Sequence, residues 1–299
     1  MTVLARAGAG PGHLDGLPLK IVSGALSDVD ALAEAVRNVT YIYHCAACSS
    51  DWAPWITFEE ANVTGVRNLL SAAARVPILV RFLHVSTTDV YGYPREACDE
   101  SHPVTDVGLP YNATKCAGEN RVREAALNGV PTTIIRPATI YGPRGKEFVV
   151  NIAKHVRAGT MAVINGGRSA GGFAYVDNVV DAMIDAAHSS ATVNRAYNIA
   201  DGTGATWQAY IGALAEGLGE RPPWIDLPFT AAWPLARAME GAHSALRLPG
   251  RPLLTRHAVL LLSRDQEFPC GAARLDFGFA PKVSFGEGIS RTVGWLKRR

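Results

Sequence analysis

The sequence predicts an α/β protein with a doubly wound parallel sheet and a smaller C-terminal substrate lobe. Short apolar strands alternate with helices over residues 1–200, which is the pattern of a parallel sheet with helical crossovers. Hydroxyl-bearing residues follow a buried strand at residues 81–86, and such sheets place ligands at the carboxyl ends of their strands. The 299 residues are enough for one domain with an added lobe, or for two domains.

The composition argues against nucleic acids and membranes as partners. The net charge is +2 and 19% of the residues are charged, so no strongly basic surface is expected. No run approaches the roughly 20 apolar residues of a spanning helix. Arg6 interrupts the short apolar start where a signal peptide needs its core. We therefore expect a cytoplasmic protein that acts on a small molecule, with no nucleic acid and no membrane span.

Tyr111 and Lys115 stand four residues apart at the expected start of a helix. One helical turn separates them, so both side chains project from the same face. A neighbouring ammonium favours the phenolate and lowers the pKa of a tyrosine, which makes Tyr111 a candidate general acid and base. A surface tyrosine above a solvated lysine would show the same spacing.

Residues 84–92, with the sequence His-Val-Ser-Thr-Thr-Asp-Val-Tyr-Gly, supply a hydroxyl for this chemistry. Thr87 stands four residues before Tyr91 of the Val-Tyr-Gly element. With Tyr111 and Lys115, this pattern resembles the extended short-chain dehydrogenase/reductase superfamily, in its NAD-dependent epimerase/dehydratase family, and the resemblance covers nearly the whole chain. It implies that Thr87, Tyr111 and Lys115 are catalytic and that the cofactor is NADP or NAD.

The first predicted elements resemble the second and third strands of that family. Residues 1–6 form the first predicted strand, a glycine-rich loop covers residues 7–16, and residues 19–28 supply a strand and the turn after it. An arginine after the second strand often meets the 2′-phosphate of NADP, so Arg6 is a cofactor-binding candidate that favours NADP; a solvated loop arginine is the alternative. Ala25 stands where the family usually has an aspartate that contacts adenine.

Further strands and helices continue the alternation. Asn62, in the second predicted helix, is expected to support the neighbouring strand by hydrogen bonding rather than to touch substrate. The remaining predicted elements, in chain order, are a helix at residues 28–37, a strand at 41–45, a helix at 58–74, a strand at 81–86, a helix from Tyr111, strands at 132–136 and 196–200, and a helix at 206–218.

The strand, glycine turn and helix that usually open this fold do not appear in the sequence. In that unit the glycines bring the pyrophosphate close to a helix N-terminus. Pro11 interrupts the glycine-rich loop, so this loop is not expected to replace it. Three explanations stay open: a start site placed too late, which the intact downstream pattern favours, a real truncation, or a rearranged protein. Residues 278–289 resemble the usual family ending, so the C-terminus is expected to be complete.

Two further segments match family positions beside the nicotinamide. Residues 44–47 match His-x-Ala-Ala, in which small side chains let the backbone approach a ligand. Residues 136–143 match Arg-Pro-x-x-x-Tyr-Gly-Pro, which lines the nicotinamide face. Besides Arg6, the resemblance implies these cofactor contacts: Ala46, Ala47, Lys115, which would bind the nicotinamide ribose, Pro137 and Ile140.

The five cysteines are expected to be reduced thiols, because the chain shows no export signal. His44, Cys45 and Cys48 have a spacing that occurs in redox and metal motifs. A structural zinc site needs four ligands, and no second cysteine or histidine pair completes one. We therefore expect no metal and interpret these positions as residues at a crowded strand end.

The residues around Thr87 and before Phe173 bear on the type of reaction. Sugar-nucleotide 4,6-dehydratases carry Thr-Asp-Glu where this chain has Thr-Thr-Asp from Thr87 to Asp89, so dehydration is disfavoured and Asp89 is expected to cap the following turn. Many sugar-nucleotide enzymes have an arginine two residues before the equivalent of Phe173, to hold phosphates. Gly171 occupies that position here, so a nucleotide sugar loses an expected anchor.

The chain becomes rich in apolar residues beyond residue 218. With Leu-Pro-Gly-Arg-Pro at residues 248–252, this region resembles bacterial proteins of the 3β-hydroxysteroid dehydrogenase branch. An apolar lid fits a lipophilic alcohol or ketone, while ordinary core packing and a membrane-surface helix are the alternatives. The apolar residues concerned are Trp224, Leu227, Phe229, Trp233, Leu235, Met239, Leu246 and Leu248.

Together these features predict an NAD(P)-dependent oxidoreductase that interconverts a secondary alcohol and a ketone on a lipophilic, steroid- or polyketide-like molecule. Two alternatives stay open: an epimerase that uses the same groups, and a binding protein that has lost the dinucleotide site. Residues 1–140 and 173–200 would form the dinucleotide-binding domain, and residues 141–172 and 201–299 the substrate lobe. Because the family often forms a four-helix dimer interface, a homodimer is expected by resemblance.

Overall fold

A computed structural model describes residues 1–6, 8, 14 and 16–299. Most of the glycine-rich loop predicted at residues 7–16, including Pro11, lies outside the described residues. The strands found are β1 (Thr2–Ala5), β2 (Lys20–Ser23), β3 (Tyr41–His44), β4 (Arg81–Val85), β5 (Thr132–Pro137), β6 (Thr139–Tyr141), β7 (Ala162–Ile164), β8 (Phe173–Tyr175), β9 (Arg195–Ile199) and β10 (Ile225–Leu227).

The helices surround these strands and alternate with them along the chain. They are α1 (Val29–Ala35), α2 (Trp55–Glu59), α3 (Gly65–Ala73), α4 (Pro110–Leu127), α5 (Ile152–Arg157), α6 (Val176–His188), α7 (Trp207–Leu218), α8 (Phe229–Ala245), α9 (Arg256–Ser263), α10 (Gly271–Phe277) and α11 (Phe285–Lys297).

The central sheet has the strand order β3-β4-β5-β9, and every pair in it is parallel. The strands predicted at residues 41–45, 81–86, 132–136 and 196–200 are confirmed, each within one residue. β1 and β2 form a separate parallel pair, and neither bonds to β3 within the described chain. In doubly wound sheets with the strand order 3-2-1-4-5-6, the first strand lies between the two halves of the sheet. The break between the β1-β2 pair and the central sheet falls at that place.

Apolar side chains cover both faces of the central sheet. Phe82 and Ile134 pack with the core of α1, α3 and α4, whereas the adjacent Leu83 and Ile135 pack with the core of α6 and α10 on the other face. Neighbouring residues of a strand point to opposite faces, so the continuous apolar runs of β4 and β5 are buried on both sides. The predicted doubly wound α/β class is confirmed.

The helix predicted at residues 58–74 begins three residues earlier and is interrupted. It consists of α2, one π-helical turn at Glu60–Thr64, and α3. The π turn lies against α4, where Gly118 lets the two backbones approach closely: a Cβ on Gly118 would lie 2.2 Å from the carbonyl oxygen of Asn62. Periodicity alone does not show such a bulge, because the contact that accompanies it comes from a distant helix.

The remaining elements build a second core beside the sheet. α7 begins at Trp207, close to the predicted start. The Thr206 hydroxyl caps this helix by accepting a hydrogen bond from the Ala209 amide. Phe173 of β8 stacks on Tyr210 of α7 with ring centroids 4.4 Å apart. α8, α9 and the parallel pair β7-β10 complete this region, while α10 packs on β9 and α6.

The apolar residues beyond residue 218 have two different environments. Phe229 and Trp233 stack on each other and pack against the small core around Val259. Trp224 is 80% exposed and Leu246 is 68% exposed. In the described part of the chain, no helix combines the length and the apolar character needed to cross a membrane.

Candidate active site

α4 positions the tyrosine and the lysine as the sequence predicts. The helix begins at Pro110, whose fixed φ suits a first helical position, and Tyr111 and Lys115 follow in its first two turns. Lys115 is only 3% exposed, and its Nζ donates to the carbonyl oxygen of Val85 at 2.7 Å. This bond fixes the ammonium at the carboxyl end of β4.

Thr87 lies on the turn that follows the same strand. It has extended backbone angles and caps a short 3-10 helix, because its Oγ1 accepts from the Asp89 amide at 3.2 Å. Its side chain also lies close enough to Tyr111 to lower the pKa of that phenol. The structure therefore brings Thr87, Tyr111 and Lys115 together at one edge of the sheet.

Burial controls the charges of Tyr111 and Lys115. Burial and the nearby Asp89 carboxylate raise the pKa of Tyr111, and the Thr87 side chain opposes this only in part. Burial also lowers the pKa of Lys115 to about 8, against the charges of Glu119, Cys45 and Asp89. The expected lowering of the Tyr111 pKa by Lys115 is thus wrong for this structure. Tyr111 is a neutral phenol that can donate a proton.

A buried ion pair supports the strand ends behind the site. The Arg136 guanidinium of β5 holds the Glu119 carboxylate of α4, and Ser86 donates to the same carboxylate at 2.9 Å. Burial opposes the charge of Glu119, yet Arg136 keeps its pKa below the ordinary value. Arg136 also donates to the Tyr91 hydroxyl at 2.7 Å. These contacts tie α4 to β4 and β5.

Two asparagines hold the loops around Tyr111. Asn112 donates from Nδ2 to the carbonyl oxygen of Asp89 at 2.7 Å, which fixes the turn after β4 against α4. Asn62 bonds to both the amide and the carbonyl group of Cys48 and donates to Thr114. Asn62 therefore supports the loop after β3, close to its predicted supporting role.

Asp89 does not cap the turn as predicted, because the Thr87 hydroxyl takes that role. Its carboxylate accepts from the Tyr93 hydroxyl at 2.9 Å and pairs with Nε2 of His257 at 2.9 Å. The His257 ring stacks on the Tyr111 ring, with centroids 5.6 Å apart and planes 15° apart. Burial disfavours the imidazolium, but the bond to Asp89 and its charge raise the pKa of His257 above the ordinary value.

His257 and Asp51 belong to the site but were not predicted from the sequence. His257 lies in α9, and Asp51 in the loop between β3 and α2. The Thr255 hydroxyl, which caps α9, donates to Asp51 Oδ2 at 2.8 Å and links the two segments. No spacing rule connects residues so distant along the chain, so only the fold could reveal this pair.

An apolar cavity of about 430 Å³ adjoins the site. Asp51 and His257 line both this cavity and the cleft that contains Tyr111, so they lie where the two meet. The apolar side chains lining the cavity are Phe148, Ile152, Met161, Trp207, Leu227, Leu235, Met239, Leu253, Leu254, Leu261 and Leu262. Three residues of the predicted apolar lid, Leu227, Leu235 and Met239, are among them.

His44 and His84 form a buried pair beneath the strand ends. Their Nδ1 atoms lie 2.9 Å apart, so one ring donates and the other accepts. Burial and the Lys115 charge lower the pKa of His44 to about 3 and that of His84 well below its ordinary value. All five cysteines are unpaired. Among the described residues, no group of three or more histidine, cysteine or carboxylate side chains could hold a metal ion.

Comparison with known proteins identifies the family. A model described as "NAD dependent epimerase/dehydratase family" matches residues 1–200. The chain belongs to the NAD dependent epimerase/dehydratase family. The resemblance found in the motifs around Thr87 and Tyr111 is therefore confirmed, and the protein is an enzyme of this family.

Two curated relatives of this epimerase/dehydratase family member are named as a reductase and as a dehydrogenase/decarboxylase. A 2-alkyl-3-oxoalkanoate reductase of Stenotrophomonas maltophilia (strain K279a) is 30% identical over 90% of this chain and 84% of the relative. A 3beta-hydroxysteroid-dehydrogenase/decarboxylase (isoform 2) of Arabidopsis thaliana is 28% identical over 92% of this chain and 51% of the relative. The expected likeness to 3β-hydroxysteroid dehydrogenases is confirmed.

A solved structure shows the same fold. The UDP-glucuronic acid 4-epimerase of Bacillus cereus, in complex with NAD, matches 94% of this chain and 81% of its own, with a TM-score of 0.74 and 20% identity. This agreement supports the Rossmann-like parallel sheet.

The residues predicted beside the nicotinamide lie mainly at the carboxyl edge of the central sheet. Ala46 and Ala47 are exposed directly after β3, and Pro137 ends β5. The Lys115 ammonium is held at the end of β4 by Val85, and the charges of Cys45 and Asp89 act on it. These small residues and the fixed ammonium fit the nicotinamide and ribose half of a dinucleotide.

The other predicted cofactor contacts lie apart from this group. Ile140 is in β6 and lines a separate groove with Arg291. Arg6 is exposed after β1, on the separate strand pair. The pyrophosphate half fits the described residues poorly, because α1 has only seven residues and the Asp28 carboxylate caps its N-terminus.

Proposed function

We propose that the enzyme is an NAD(P)-dependent oxidoreductase that interconverts a ketone and a secondary alcohol on a lipophilic small molecule. The observation that carries the proposal is the apolar cavity that meets the cleft of Tyr111. Cavities that are mainly apolar, with a few polar groups at one end, suit a largely hydrocarbon ligand with one reacting polar group.

Each proposed catalytic residue has a defined task. Tyr111 donates its proton to the ketone oxygen, and Thr87 hydrogen-bonds to the same oxygen. Lys115 binds the nicotinamide ribose through the donors that Val85 leaves free. The nicotinamide, when bound, supplies the hydride. The raised pKa of Tyr111 favours the reductive direction, because the phenol then carries the proton to be given.

Two observations support a lipophilic substrate over a nucleotide sugar. A Cβ on Gly171 would lie 2.2 Å from the ring of Phe173, which is itself buried, so this position has no room for a phosphate-binding arginine. Asp89, which stands where dehydratases carry a glutamate, is already bonded to Tyr93 and His257. The names of both relatives point to lipophilic substrates.

The proposal extends to the cofactor and the domains. The exposed Arg6 supports NADP over NAD, because its guanidinium suits a 2′-phosphate. Residues 1–140 and 173–200 form the cofactor domain in this proposal, and residues 141–172 and 201–299 form the substrate lobe. In this proposal Ala46, Ala47 and Pro137 line the nicotinamide side, while Ile140 lies apart from them in the groove lined by Arg291.

A homodimer is part of the same proposal. α2 packs beside α4 and leaves Trp55 and Ile56 more than half exposed, at 55% and 56%. Sedimentation of the purified protein should show twice the chain mass, and Ile56→Glu should shift it toward the monomer. A monomeric wild-type protein at micromolar concentration would exclude this assembly.

The decisive experiment is a binding and turnover assay of the 299-residue chain. Calorimetric titration with NADPH and NADH is followed by assays with medium-chain ketones. Tyr111→Phe should lower kcat at least about a thousandfold, because the proton donor is lost, without changing the urea midpoint. The control Tyr43→Phe, on β3, should behave as wild type.

Other results would select other functions. Full activity of Tyr111→Phe would refute the catalytic assignment. Inversion of a substrate centre with no net change in cofactor redox state would select an epimerase. Failure of a cooperatively folded chain to bind either dinucleotide would select a binding protein instead.

A further inference from the structure

Two residues at the junction between the apolar cavity and the Tyr111 cleft each carry a buried polar atom without a partner among the described residues. The atoms are Oδ1 of Asp51 and Nδ1 of His257. Both side chains line the cavity and the cleft. Buried polar atoms in native proteins nearly always have a partner, and an unpaired one costs about 1–3 kcal/mol. A pair of them at one junction indicates a place for a polar ligand group.

The opposite atom of each side chain is held firmly. Oδ2 of Asp51 accepts from the Thr255 hydroxyl at 2.8 Å and pairs with Arg251 at 3.0 Å. Nε2 of His257 bonds to Asp89 at 2.9 Å, while its ring rests on Tyr111. These contacts fix both side chains, so the two free atoms keep their positions without a ligand.

Resting on the proposed function, we propose that Asp51 and His257 form a subsite for a hydroxyl group close to the reacting carbonyl of a lipophilic ketone. A hydroxyl has one donor and accepting lone pairs. It can therefore donate to Oδ1 of Asp51 and accept from the Nδ1 proton of His257 imidazolium. The raised pKa of His257 agrees with this protonated form.

The charges around the subsite disfavour a carboxylate. The nearest anionic groups are Asp51, Asp89 and Glu147. Arg251, which could attract an anion, already pairs with Asp51 at 3.0 Å and with Glu147 at 3.6 Å. A substrate carboxylate here would meet like charges, and the two nearby cations, His257 and Arg251, are already paired with carboxylates. The subsite thus selects a neutral hydroxyl over the acid group of a 3-oxoalkanoate.

The test is calorimetric binding of three matched probes to the full chain, without cofactor. The probes are a medium-chain β-hydroxy ketone, the same ketone without the hydroxyl, and the β-keto carboxylate of equal length. The hydroxy ketone should bind about tenfold more tightly than the plain ketone, because only it pairs both buried atoms. The carboxylate should bind more weakly than either.

Variants separate the subsite from general effects on the cavity. Asp51→Asn keeps an oxygen for Thr255 but turns an amide donor toward the hydroxyl proton, so the tenfold preference should fall to near one. His257→Phe keeps a ring on Tyr111 and should also abolish the preference. Glu147→Gln is the matched control with the same change of charge. Its carboxylate already pairs with Asn151 and Arg251, so this variant should keep the preference.

Each outcome decides the inference separately from the proposed function. Tighter binding of the hydroxy ketone, lost in Asp51→Asn and kept in Glu147→Gln, supports the subsite. Equal binding of the two ketones, binding of none, or preferred binding of the carboxylate overturns it. Turnover is measured in parallel: ketone reduction without a hydroxyl preference leaves the reductase function standing, whereas selective binding without reduction removes that function and keeps the subsite.

Discussion

Burial adjusts the pKa values of Tyr111 and Lys115 more than the charges of their neighbours do. Lys115 is enclosed by β4 and α4, and Tyr111 lies under the His257 ring. In a water-poor environment the charged form of each group is disfavoured, so the pKa of lysine falls and that of tyrosine rises. The result is a neutral proton donor, Tyr111, beside an ammonium, Lys115, that gives up its proton more readily than an exposed lysine.

Lys115 makes stability depend on pH in a defined window. Its pKa of about 8 in the folded protein lies below the ordinary value of 10.5, so the unfolded chain binds more protons between these values. Stability from this group therefore rises with pH through that window and is lowest below it. From pH 7 to about pH 9.5, the free energy of unfolding of the wild type should therefore rise by about 2 kcal/mol relative to that of Lys115→Met.

Urea unfolding of both proteins at the two pH values measures this change. Other titrating groups are common to both proteins and cancel in the difference. The control Lys154→Met, at an exposed position of α5, should show a difference that does not vary with pH. A constant difference for Lys115→Met as well would contradict the burial of a charged lysine.

The elements around the site depend on close backbone contacts. α4 carries the proposed catalytic pair, and its contact with the π turn at Glu60–Thr64 holds it against the loop after β3. Gly118 makes this approach possible, and Asn62 uses it to reach Thr114 and Cys48. The position of Tyr111 thus depends on a residue seven positions further along the same helix.

Gly118→Ala should destabilise the protein by about 2 kcal/mol, because its Cβ would collide with a backbone oxygen that cannot rotate away. Gly241→Ala is the matched control, since it also lies in a helix but has nothing within 4 Å of the added Cβ. That change should stabilise by about 0.5–1 kcal/mol. Urea unfolding of both variants measures these changes in stability. Equal effects of the two substitutions would exclude the close contact between Gly118 and the Asn62 carbonyl oxygen.

At the scale of the whole molecule, the sheet and the lobe divide the work in our proposal. The sheet edge supplies Thr87, Tyr111 and Lys115, while the lobe supplies the apolar wall and its helix α9 carries His257. Substitutions in the lobe should therefore change substrate preference, whereas substitutions at the sheet edge should change the rate of the chemical step.

Ala258→Phe should separate these two contributions. Ala258 lines the cavity from α9, and a phenyl ring there would occupy part of its 430 Å³. The value of kcat/KM for a long-chain ketone should fall about tenfold or more, while that for a four-carbon ketone stays within about twofold. Steady-state assays with both ketones measure this. Equal losses for both would mean that the long chain does not enter the cavity.

The sequence by itself predicted the strands of the central sheet, the start of α4 and the proposed trio of Thr87, Tyr111 and Lys115. These features are local: apolar runs define strands, Pro110 marks a helix start, and one helical turn sets the Tyr111 to Lys115 spacing. The family match confirms the class of enzyme that this pattern implied.

Only the tertiary structure decided how these groups behave. Asp89 meets His257 across 168 residues, the cavity combines segments from both halves of the chain, and the direction of the Tyr111 pKa follows from burial. Burial and long-range pairing depend on how distant segments pack together. Local sequence patterns do not contain that information, because the same residues in an open loop would be solvated and unpaired.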